Sequence, residues 1–294
     1  MIQKFRETVR QIPIVRKIFG YYIASSGIAD RLFKNYVVNE VWQKRIDDVL
    51  VCKDNAFIER VANAGTIRKG KQIMHNGLLI HLGSYYGPEV SRMISLNKGV
   101  HEPQEERVFQ EVIKLIPAGG VMIELGAFWS FYSMWFNLKV PGAKNIMVEP
   151  DKFNLGQGKR NFSLNRMRGT FINAFVGSKA SIENGTRIIS VDSIVNEFKL
   201  DFVHVLHSDI QGFELDMLQG ARQLFTQQRV GYIFISTHSN EVHYKCKEFL
   251  ESNSCTILCS ADCGQAFSED GLLVARGNWY PGLEPISIDL KQPA

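Results

Sequence analysis

The sequence predicts an α/β fold in which a mostly parallel sheet is covered by helices on both faces. From Val121 onward, short apolar segments alternate with segments that have a helical pattern. This alternation is typical of parallel, doubly wound sheets. The last two apolar segments, Cys255–Cys259 and Leu272–Ala275, have no long helix between them. Since antiparallel strands need only a short connection, we expect an antiparallel edge strand on this Rossmann-like sheet.

Composition places the chain among ordinary globular proteins. Of its 294 residues, 45% are hydrophobic and 22% are charged. A formal net charge of +4 is too small to indicate a nucleic-acid partner, and we expect none. The cysteines number five, no segment is typical of a secretory leader, and no apolar run is long enough to span a bilayer. A reducing, cytoplasmic location is therefore expected.

The chain is predicted to divide at about residue 100. Residues 1–100 are expected to form a mainly helical N-terminal segment with a short strand near Gly77–Gly83, and residues 101–294 the main domain. Residues 30–75 are predicted to be helical. Within residues 1–24, five basic side chains alternate with apolar ones. Two interpretations stay open for these residues: packing on the domain, or weak contact with the inner face of a membrane.

The main domain is predicted to begin with a helix and to continue with alternating strands and helices. Pro103 lies in the first turn of the first helix with acids around it, and Pro117–Gly120 ends that helix. The strands that follow Val121–Ile123 are expected at 145–149, 170–176, 201–209 and 230–236. The helices between them are expected at 154–165, 214–225 and 241–252.

The turn after the first strand of this domain is the most informative segment. Apolar Val121–Ile123 is followed by Glu124 and Gly126, and a helix is expected from Phe131. A strand that turns sharply into a helix brings backbone N–H groups and a positive dipole end to one point. Glycine leaves room there for a ligand close to the backbone. The acid favours a ligand with a cationic or hydroxyl-rich portion over a pyrophosphate.

Ionisable residues follow several of the predicted strands. Glu124, Glu149 and Asp209 end three of them, and His238 follows a fourth. Because ligands of doubly wound sheets bind beyond the carboxyl ends of the strands, these side chains predict a site at that edge.

These residues resemble the FkbM family of class I S-adenosylmethionine-dependent methyltransferases, over residues 100 to 279. Glu124, Gly126 and Ala127 match the family's acid-x-Gly-Ala-Asn-x-Gly motif, with Phe128 and Ser130 in place of the asparagine and the last glycine.

A second signature of the family, Asp-x-Glu-Gly-x-Glu, is similar to Asp209–Glu214. Gln211 stands in place of the first glutamate. The segment Leu218–Ala221 matches the Leu-x-Gly-Ala that follows this signature, and Glu149-Pro150-Asp151 matches the second-strand acid.

The resemblance implies S-adenosyl-L-methionine as cofactor. Glu149 would accept hydrogen bonds from both ribose hydroxyls, and Glu124 would lie near the ammonium or the sulfonium. The end of the third strand near Ala174 would border the adenine. The expected cofactor-binding residues are Glu124, Gly126, Ala127, Phe128, Ser130, Glu149, Ala174 and Asp209.

Transfer of a methyl group to oxygen needs a positioned hydroxyl and a base. We expect His238 to be that base, with Asp209 supporting it, because neutral histidine is plentiful near pH 7. No metal is expected in this interpretation. An alternative in which Asp209, His207 and His238 hold a divalent metal stays open.

The expected function is O-methylation of a hydroxyl on a sugar, a glycan or a small polar metabolite. One alternative is a methyltransferase with a nitrogen or lipid acceptor, held at a membrane by residues 1–24. The other is a cofactor-binding scaffold without turnover, which the departures at Phe128, Ser130 and Gln211 favour. The sequence indicates neither the identity of the acceptor nor the oligomeric state.

Overall fold

The computed structural model describes residues 27–292. The predicted membrane contact of residues 1–24 lies outside this range. No helix within it combines the length and apolarity needed to cross a bilayer.

The part of the chain before residue 100 contains more strand than predicted. Its elements are helices α1 (Ile28–Lys34) and α2 (Glu40–Val51), a 3₁₀ turn (Lys53–Phe57), strands β1 (Ile67–Arg68), β2 (Lys71–Ile73) and β3 (Leu79–His81), and helix α3 (Pro88–Leu96). The three strands form one antiparallel sheet in the order β1-β2-β3.

The prediction that residues 30–75 are helical is wrong at its C-terminal end. Arg68 pairs with Lys71, so Lys69 and Gly70 form a two-residue hairpin loop. Both loop residues have positive φ angles, 52° and 68°. This geometry gives the twist that a tight hairpin requires, and it overrides the helical pattern. The predicted short strand at 77–83 is confirmed by β3.

The main domain alternates strands and helices as predicted. Its helices are α4 (Pro103–Ile113), α5 (Phe131–Lys139), α6 (Lys152–Leu164), α7 (Val191–Glu197), α8 (Glu214–Gln219), α9 (Arg222–Thr226) and α10 (Asn240–Ser252). Its strands are β4 (Val121–Leu125), β5 (Lys144–Val148), β6 (Thr170–Ile172), β7 (Phe175–Val176), β8 (Ser181–Glu183), β9 (Thr186–Ile189), β10 (Val203–Ser208), β11 (Val230–Thr237), β12 (Cys255–Ala261) and β13 (Gly271–Gly277).

Seven strands form the central sheet in the order β12-β13-β11-β10-β4-β5-β6. Strands β6, β5, β4, β10 and β11 run parallel to one another, whereas β13 is antiparallel to both β11 and β12. The predicted Rossmann-like α/β class is thereby confirmed. The antiparallel strand is β13, and it lies second from the edge because β12 adds outside it. The strand order reverses between β4 and β10, which is where doubly wound sheets bind ligands.

Two differences from the prediction concern the segment after β6. The strand expected at 170–176 breaks at Asn173, whose side-chain amide donates to the carbonyl oxygens of Glu149 (2.9 Å) and Pro150 (2.7 Å). Strand β7 then pairs with β9 in a small sheet of its own. The β8–β9 hairpin and helix α7 were not predicted from the sequence.

Apolar side chains fill both faces of the central sheet. One buried cluster includes Phe109, Phe131, Trp135 and Phe234, and the other lies under the helices α7 to α10 on the opposite face. Trp135 is 1% exposed. Its aromatic ring therefore packs in the core.

Candidate cofactor and active site

The turn after β4 is held by bonds within the protein. The N–H groups of Gly126 and Ala127 both donate to the carbonyl oxygen of Val148, at 2.9 Å. They are therefore already paired, contrary to the expectation that this turn offers free N–H groups. Gly126 has a φ of 73°, and a Cβ atom placed on it would overlap the carbonyl oxygen of Asp209. The close approach of β4 to β10 thus requires glycine here, before any ligand is considered.

Phe128 and Ser130 continue this turn in the left-handed region, with φ angles of 34° and 61°. The Phe128 carbonyl accepts the N–H of Gly158 on α6 at 3.1 Å. Ser130 is 1% exposed, and a Cβ atom on Gly158 would overlap its Oγ. Ser130 therefore lies against α6 and forms no part of the cavity wall, so its predicted contact with the cofactor has no support in the geometry.

A cavity of about 270 Å³ opens beyond the carboxyl ends of β4, β5 and β10. Of the predicted cofactor residues, Gly126, Phe128, Glu149 and Asp209 line it. The other lining residues are Tyr86, Pro150, Asn154, Phe175, Val176, Ile210, Gln211 and Phe213. Ala174 is not part of its wall: the residue lies between β6 and β7, is 3% exposed and packs in the core.

Glu149 presents a carboxylate to this cavity. Its Oε1 accepts the N–H of Asp151 at 2.9 Å and its Oε2 accepts the N–H of Phe128 at 3.1 Å. Burial raises its pKa, and these backbone N–H groups partly oppose that rise. Each carboxylate oxygen has a second lone pair. The Asn154 side chain also bonds to this carboxylate. Glu149 can still accept a further hydrogen bond, which fits a ribose hydroxyl.

Glu124 lies deeper, in a pocket of about 20 Å³ that adjoins the cavity at Gly126, Phe128 and Asp209. The side chain is 4% exposed, and its Oε2 accepts the N–H of Ser133 at 3.2 Å. Burial raises the pKa of Glu124 to about 7, although the nearby imidazole of His207 opposes this shift. Ala127 lines the same pocket.

Aromatic side chains surround the cavity and its rim. Tyr86, Phe175 and Phe213 line it and are 50%, 49% and 54% exposed. Phe128 meets Tyr86 edge to face, with ring centroids 5.3 Å apart. Large apolar groups left half exposed around a concave site are typical of ligand-binding surfaces.

His238 lies at the same edge, surrounded by carboxylates. Its Nδ1 is 2.7 Å from Oε1 of Glu214, and its Nε2 is 3.3 Å from Oδ1 of Asp209 and 3.5 Å from Oδ1 of Asp270. An ionised carboxylate only accepts hydrogen bonds, so the bond at Nδ1 and the two close carboxylates at Nε2 favour a proton on each ring nitrogen.

The charge of His238 differs from the prediction. Burial alone would lower its pKa, but hydrogen bonds to Asp209 and Glu214 and the charge of Asp270 raise it to about 10. At neutral pH the ring in this arrangement is an imidazolium, which has no free lone pair to accept a proton. The expectation of a neutral His238 as base therefore conflicts with the structure, because three carboxylates stabilise the charged form.

Asp270 is a site residue that the sequence analysis missed. It directly precedes β13. Because β13 runs antiparallel, it begins at the edge where the parallel strands end, and this brings Asp270 beside His238 and Asp209. The sequence signal that could have identified Asp270 is its position as an acid just before the last apolar segment.

His207 is not among the donors that come together here. It is buried, and its Nε2 is 2.6 Å from Oε1 of Glu105 on α4. The alternative in which Asp209, His207 and His238 hold a metal is therefore wrong in its choice of His207. In residues 27–292, the metal-capable group at this edge is Asp209, His238 and Asp270, whose donor atoms lie within 4.8 Å of one another.

Comparison with known proteins agrees with the signatures. Residues 178–253 match the model of the Methyltransferase FkbM domain. This segment contains Asp209, Glu214 and His238, whereas Glu124 and Glu149 lie before it. No curated protein matches the chain.

Several solved structures are similar at low identity. Precorrin-6y C5,15-methyltransferase from Geobacter metallireducens GS-15 has a TM-score of 0.42 and 17% identity, over 60% of this chain and 89% of that one. Ribosomal protein L11 methylase from Lactobacillus delbrueckii subsp. bulgaricus has a TM-score of 0.39 and 14% identity, over 62% and 82%. M. capricolum TrmK, in complex with S-adenosyl-homocysteine, has a TM-score of 0.39 and 11% identity, over 60% and 71%.

Identities and TM-scores this low say nothing about the methyl acceptor. The family match and the strand order of the central sheet carry the conclusion instead. Residues 178–253 match the FkbM methyltransferase domain, and the central sheet is Rossmann-like; both support an S-adenosylmethionine-dependent methyltransferase.

Proposed function

We propose that the protein transfers a methyl group from S-adenosylmethionine to a hydroxyl oxygen of a sugar, a glycan or another small polar metabolite. One observation carries the proposal. The cavity of about 270 Å³ has the Glu149 carboxylate in its wall, and Asp209 joins it to a second group of carboxylates around His238.

The first part of the site suits the cofactor. Glu149 can accept a hydrogen bond from a ribose hydroxyl, and Phe175 and Phe213 offer apolar surface for a flat base. Glu124 lies in the adjoining pocket, where its carboxylate would interact with the ammonium of the amino acid end. Bound S-adenosylmethionine supplies an electrophilic methyl group on a cationic sulfur.

The second part suits an acceptor with hydroxyl groups. Asp209 and Asp270 are acceptor-only groups when ionised, so a hydroxyl can donate to either of them. Such bonds would orient the acceptor oxygen, and positioning supplies much of the rate of a transfer between two bound groups. The imidazolium of His238 would hold the two carboxylates in place. In this proposal a carboxylate, and not His238, receives the hydroxyl proton.

Two other functions remain as rivals with observations of their own. The basic and apolar residues of segment 1–24 favour a lipid or nitrogen acceptor at a membrane surface. The departures at Phe128, Ser130 and Gln211 favour a scaffold that binds the cofactor without turnover. A hydroxyl acceptor is preferred because Asp209 and Asp270 face the same side of His238.

The test uses S-adenosylmethionine with a labelled methyl group and separate pools of glycans, nucleotide sugars, peptides and lipid vesicles. We expect protein-dependent label in a hydroxylated pool, as a methyl ether that resists mild alkali, and loss of that label in Asp209→Asn. Label confined to peptides or lipids would contradict the proposal and favour the first rival. Cofactor binding with no label in any pool would favour the scaffold.

A further inference from the structure

We infer that Asp209, His238 and Asp270 form a binding site for a hard divalent cation, Mg²⁺ or Mn²⁺, next to the cofactor cavity. These residues come from the end of β10, the end of β11 and the start of β13. The cation site is argued from the residues themselves. Its role in methyl transfer rests on the proposed function.

The spacing of the donor atoms fits a common ligand shell. Nε2 of His238 lies 3.3 Å from Oδ1 of Asp209 and 3.5 Å from Oδ1 of Asp270. Two ligands at adjacent positions, each about 2.1–2.2 Å from one cation, lie about 3.0–3.5 Å apart. The two carboxylate donors lie within 4.8 Å of one another, so a cation can contact all three donors once the side chains move closer together.

Glu214 provides the outer support that metal-binding histidines usually have. Its Oε1 is 2.7 Å from Nδ1 of His238 and also accepts the N–H of Gly212 at 2.9 Å. A carboxylate on the remote ring nitrogen fixes the orientation of an imidazole and raises its basicity as a ligand. Glu214 is fully buried, and its Oε2 has no hydrogen-bond partner within residues 27–292. An unpaired buried carboxylate oxygen beside the ring indicates that more positive charge can be accommodated here.

Charge and exposure also favour a cation. The carboxylates of Asp209, Asp270 and Glu214 place three negative charges around one imidazole. A divalent cation at Nε2 of His238 would offset two of these charges. The side chains of His238, Asp209 and Asp270 are 19%, 33% and 30% exposed, so coordination positions remain open to water or an acceptor.

The ligand set selects the class of metal. A set of two carboxylates and one imidazole suits Mg²⁺ and Mn²⁺, whereas softer metals prefer sites rich in thiolates. Cys263, the nearest cysteine in sequence to Asp270, has its Sγ directed at the carbonyl oxygen of Thr237 instead.

The cation would give the acceptor oxygen its place and its acidity. A hydroxyl bound to a divalent cation loses its proton more readily, and the proton would pass to water or a neighbouring carboxylate. The oxygen then forms a bond to the methyl carbon as the carbon–sulfur bond breaks, and the electron pair of that bond stays on sulfur. Charge balances, because a cationic sulfur becomes a neutral thioether and one proton is released.

The experiment measures Mn²⁺ binding to the full chain after treatment with a chelator. Free Mn²⁺ gives a sharp paramagnetic resonance signal that is lost on binding. We expect one equivalent to bind with a Kd below about 1 mM and to be displaced by excess Mg²⁺. Asp270→Asn and His238→Gln should each weaken binding at least 10-fold. Glu214→Gln should weaken it about 10- to 100-fold through the imidazole.

Asp216→Asn is the matched control, since this acid lies on α8 close to Glu214 in sequence but is exposed and outside the cluster. It should bind Mn²⁺ as the wild type does. Circular dichroism checks that each variant is folded, and two independent ligand variants protect the test if one fails to fold.

Failure of this inference can be told from failure of the proposed function. Calorimetry with S-adenosylhomocysteine is run on the same samples. If the wild type binds the nucleoside but not Mn²⁺, or if neither ligand variant weakens Mn²⁺ binding, the cation site is wrong and the methyltransferase proposal stands. If Mn²⁺ binds and the nucleoside does not, the cation site is supported and the proposed function is contradicted.

Discussion

Gly126 and Asp209 are packed backbone against backbone: a Cβ atom on Gly126 would overlap the carbonyl oxygen of Asp209. The two residues end the neighbouring parallel strands β4 and β10, and both line the cavity. The glycine that resembles a cofactor-binding signature is therefore also a requirement of the sheet. A substitution there changes the fold of the site before it changes any contact with a ligand.

This contact predicts a stability effect at Gly126. Gly126→Ala adds a side chain at a φ of 73° and against backbone, so it should lower the free energy of unfolding by at least about 2 kcal/mol. Gly156→Ala is the control, because that glycine lies in α6 with open space around it. It should leave stability equal or raise it by up to about 1 kcal/mol. Urea denaturation measures both, and equal behaviour of the two variants would refute the packing argument.

A second prediction concerns the attachment of the small N-terminal sheet to the domain. Asn161 on α6 is fully buried; its Oδ1 accepts the N–H of His81 at 3.0 Å, and its Nδ2 donates to the Trp129 carbonyl at 3.1 Å. Asn161→Ala leaves those backbone groups unpaired and should cost about 2–4 kcal/mol of stability. Asn196→Ala, at an exposed position of α7, should change stability by no more than about 0.5 kcal/mol. If Asn161→Ala lowers stability no more than Asn196→Ala does, the hydrogen bonds of Asn161 contribute little to stability.

Stability should fall at high pH because of His101. Burial lowers the pKa of this imidazole, but Glu102 (3.1 Å from Nε2) and Glu106 (2.6 Å from Nδ1) raise it to about 10 from 6.5. A raised pKa means that the charged form is favoured in the folded state. The contribution is therefore full below pH 6.5 and is lost as the pH rises towards 10.

The comparison is made with His101→Gln, since His238 titrates in the same range in the metal-free protein. Denaturation at pH 6.5 and at pH 9.5 should show a larger loss for the wild type than for the variant. Parallel losses would mean that the His101 contacts do not stabilise the fold.

Affinity for S-adenosylhomocysteine should rise with pH because of Glu124. Burial raises the pKa of this carboxyl from 4.5 to about 7, and the facing groups are His207 and, through it, Glu105. A ligand ammonium beside Glu124 favours the ionised form, so binding should strengthen between about pH 6 and pH 8 and release a proton. Calorimetry in buffers of different ionisation enthalpy measures that proton. Glu124→Gln should abolish the pH dependence, whereas the exposed Glu251→Gln should keep it; a pH profile that is the same in Glu124→Gln would place the ammonium elsewhere.

The residues at the strand ends of the site could be predicted from the sequence, because an acid that follows an apolar strand of a parallel sheet lies at the carboxyl edge of that sheet. Glu149 and Asp209 line the cavity for this reason. Ser130 and Ala174 were wrongly expected to line the cofactor cavity. Motif spacing gives a residue's position along the chain, but it does not show which side chains helix α6 or the small β7–β9 sheet will cover.

Contacts between distant segments were beyond the sequence. Asp270 reaches His238 only because β13 is inserted antiparallel between β11 and β12, and Tyr86 reaches the cavity from the segment before α3. The charge of His238 depends on three carboxylates from three elements, so the reference pKa of histidine was a poor guide to it.

The most direct test of the account is calorimetric titration of S-adenosylhomocysteine into the wild type and Glu149→Ala. We expect one site in the wild type and an affinity at least 10-fold lower in the variant, because hydrogen bonds from the ribose hydroxyls to an ionised carboxylate are stronger than those to a neutral acceptor. Phe213→Ala, at a half-exposed wall residue, should also weaken binding without affecting folding, and Glu251→Ala should bind as the wild type does. Absence of binding in the wild type, or wild-type affinity in both cavity variants, would contradict the assignment of this cavity to the cofactor.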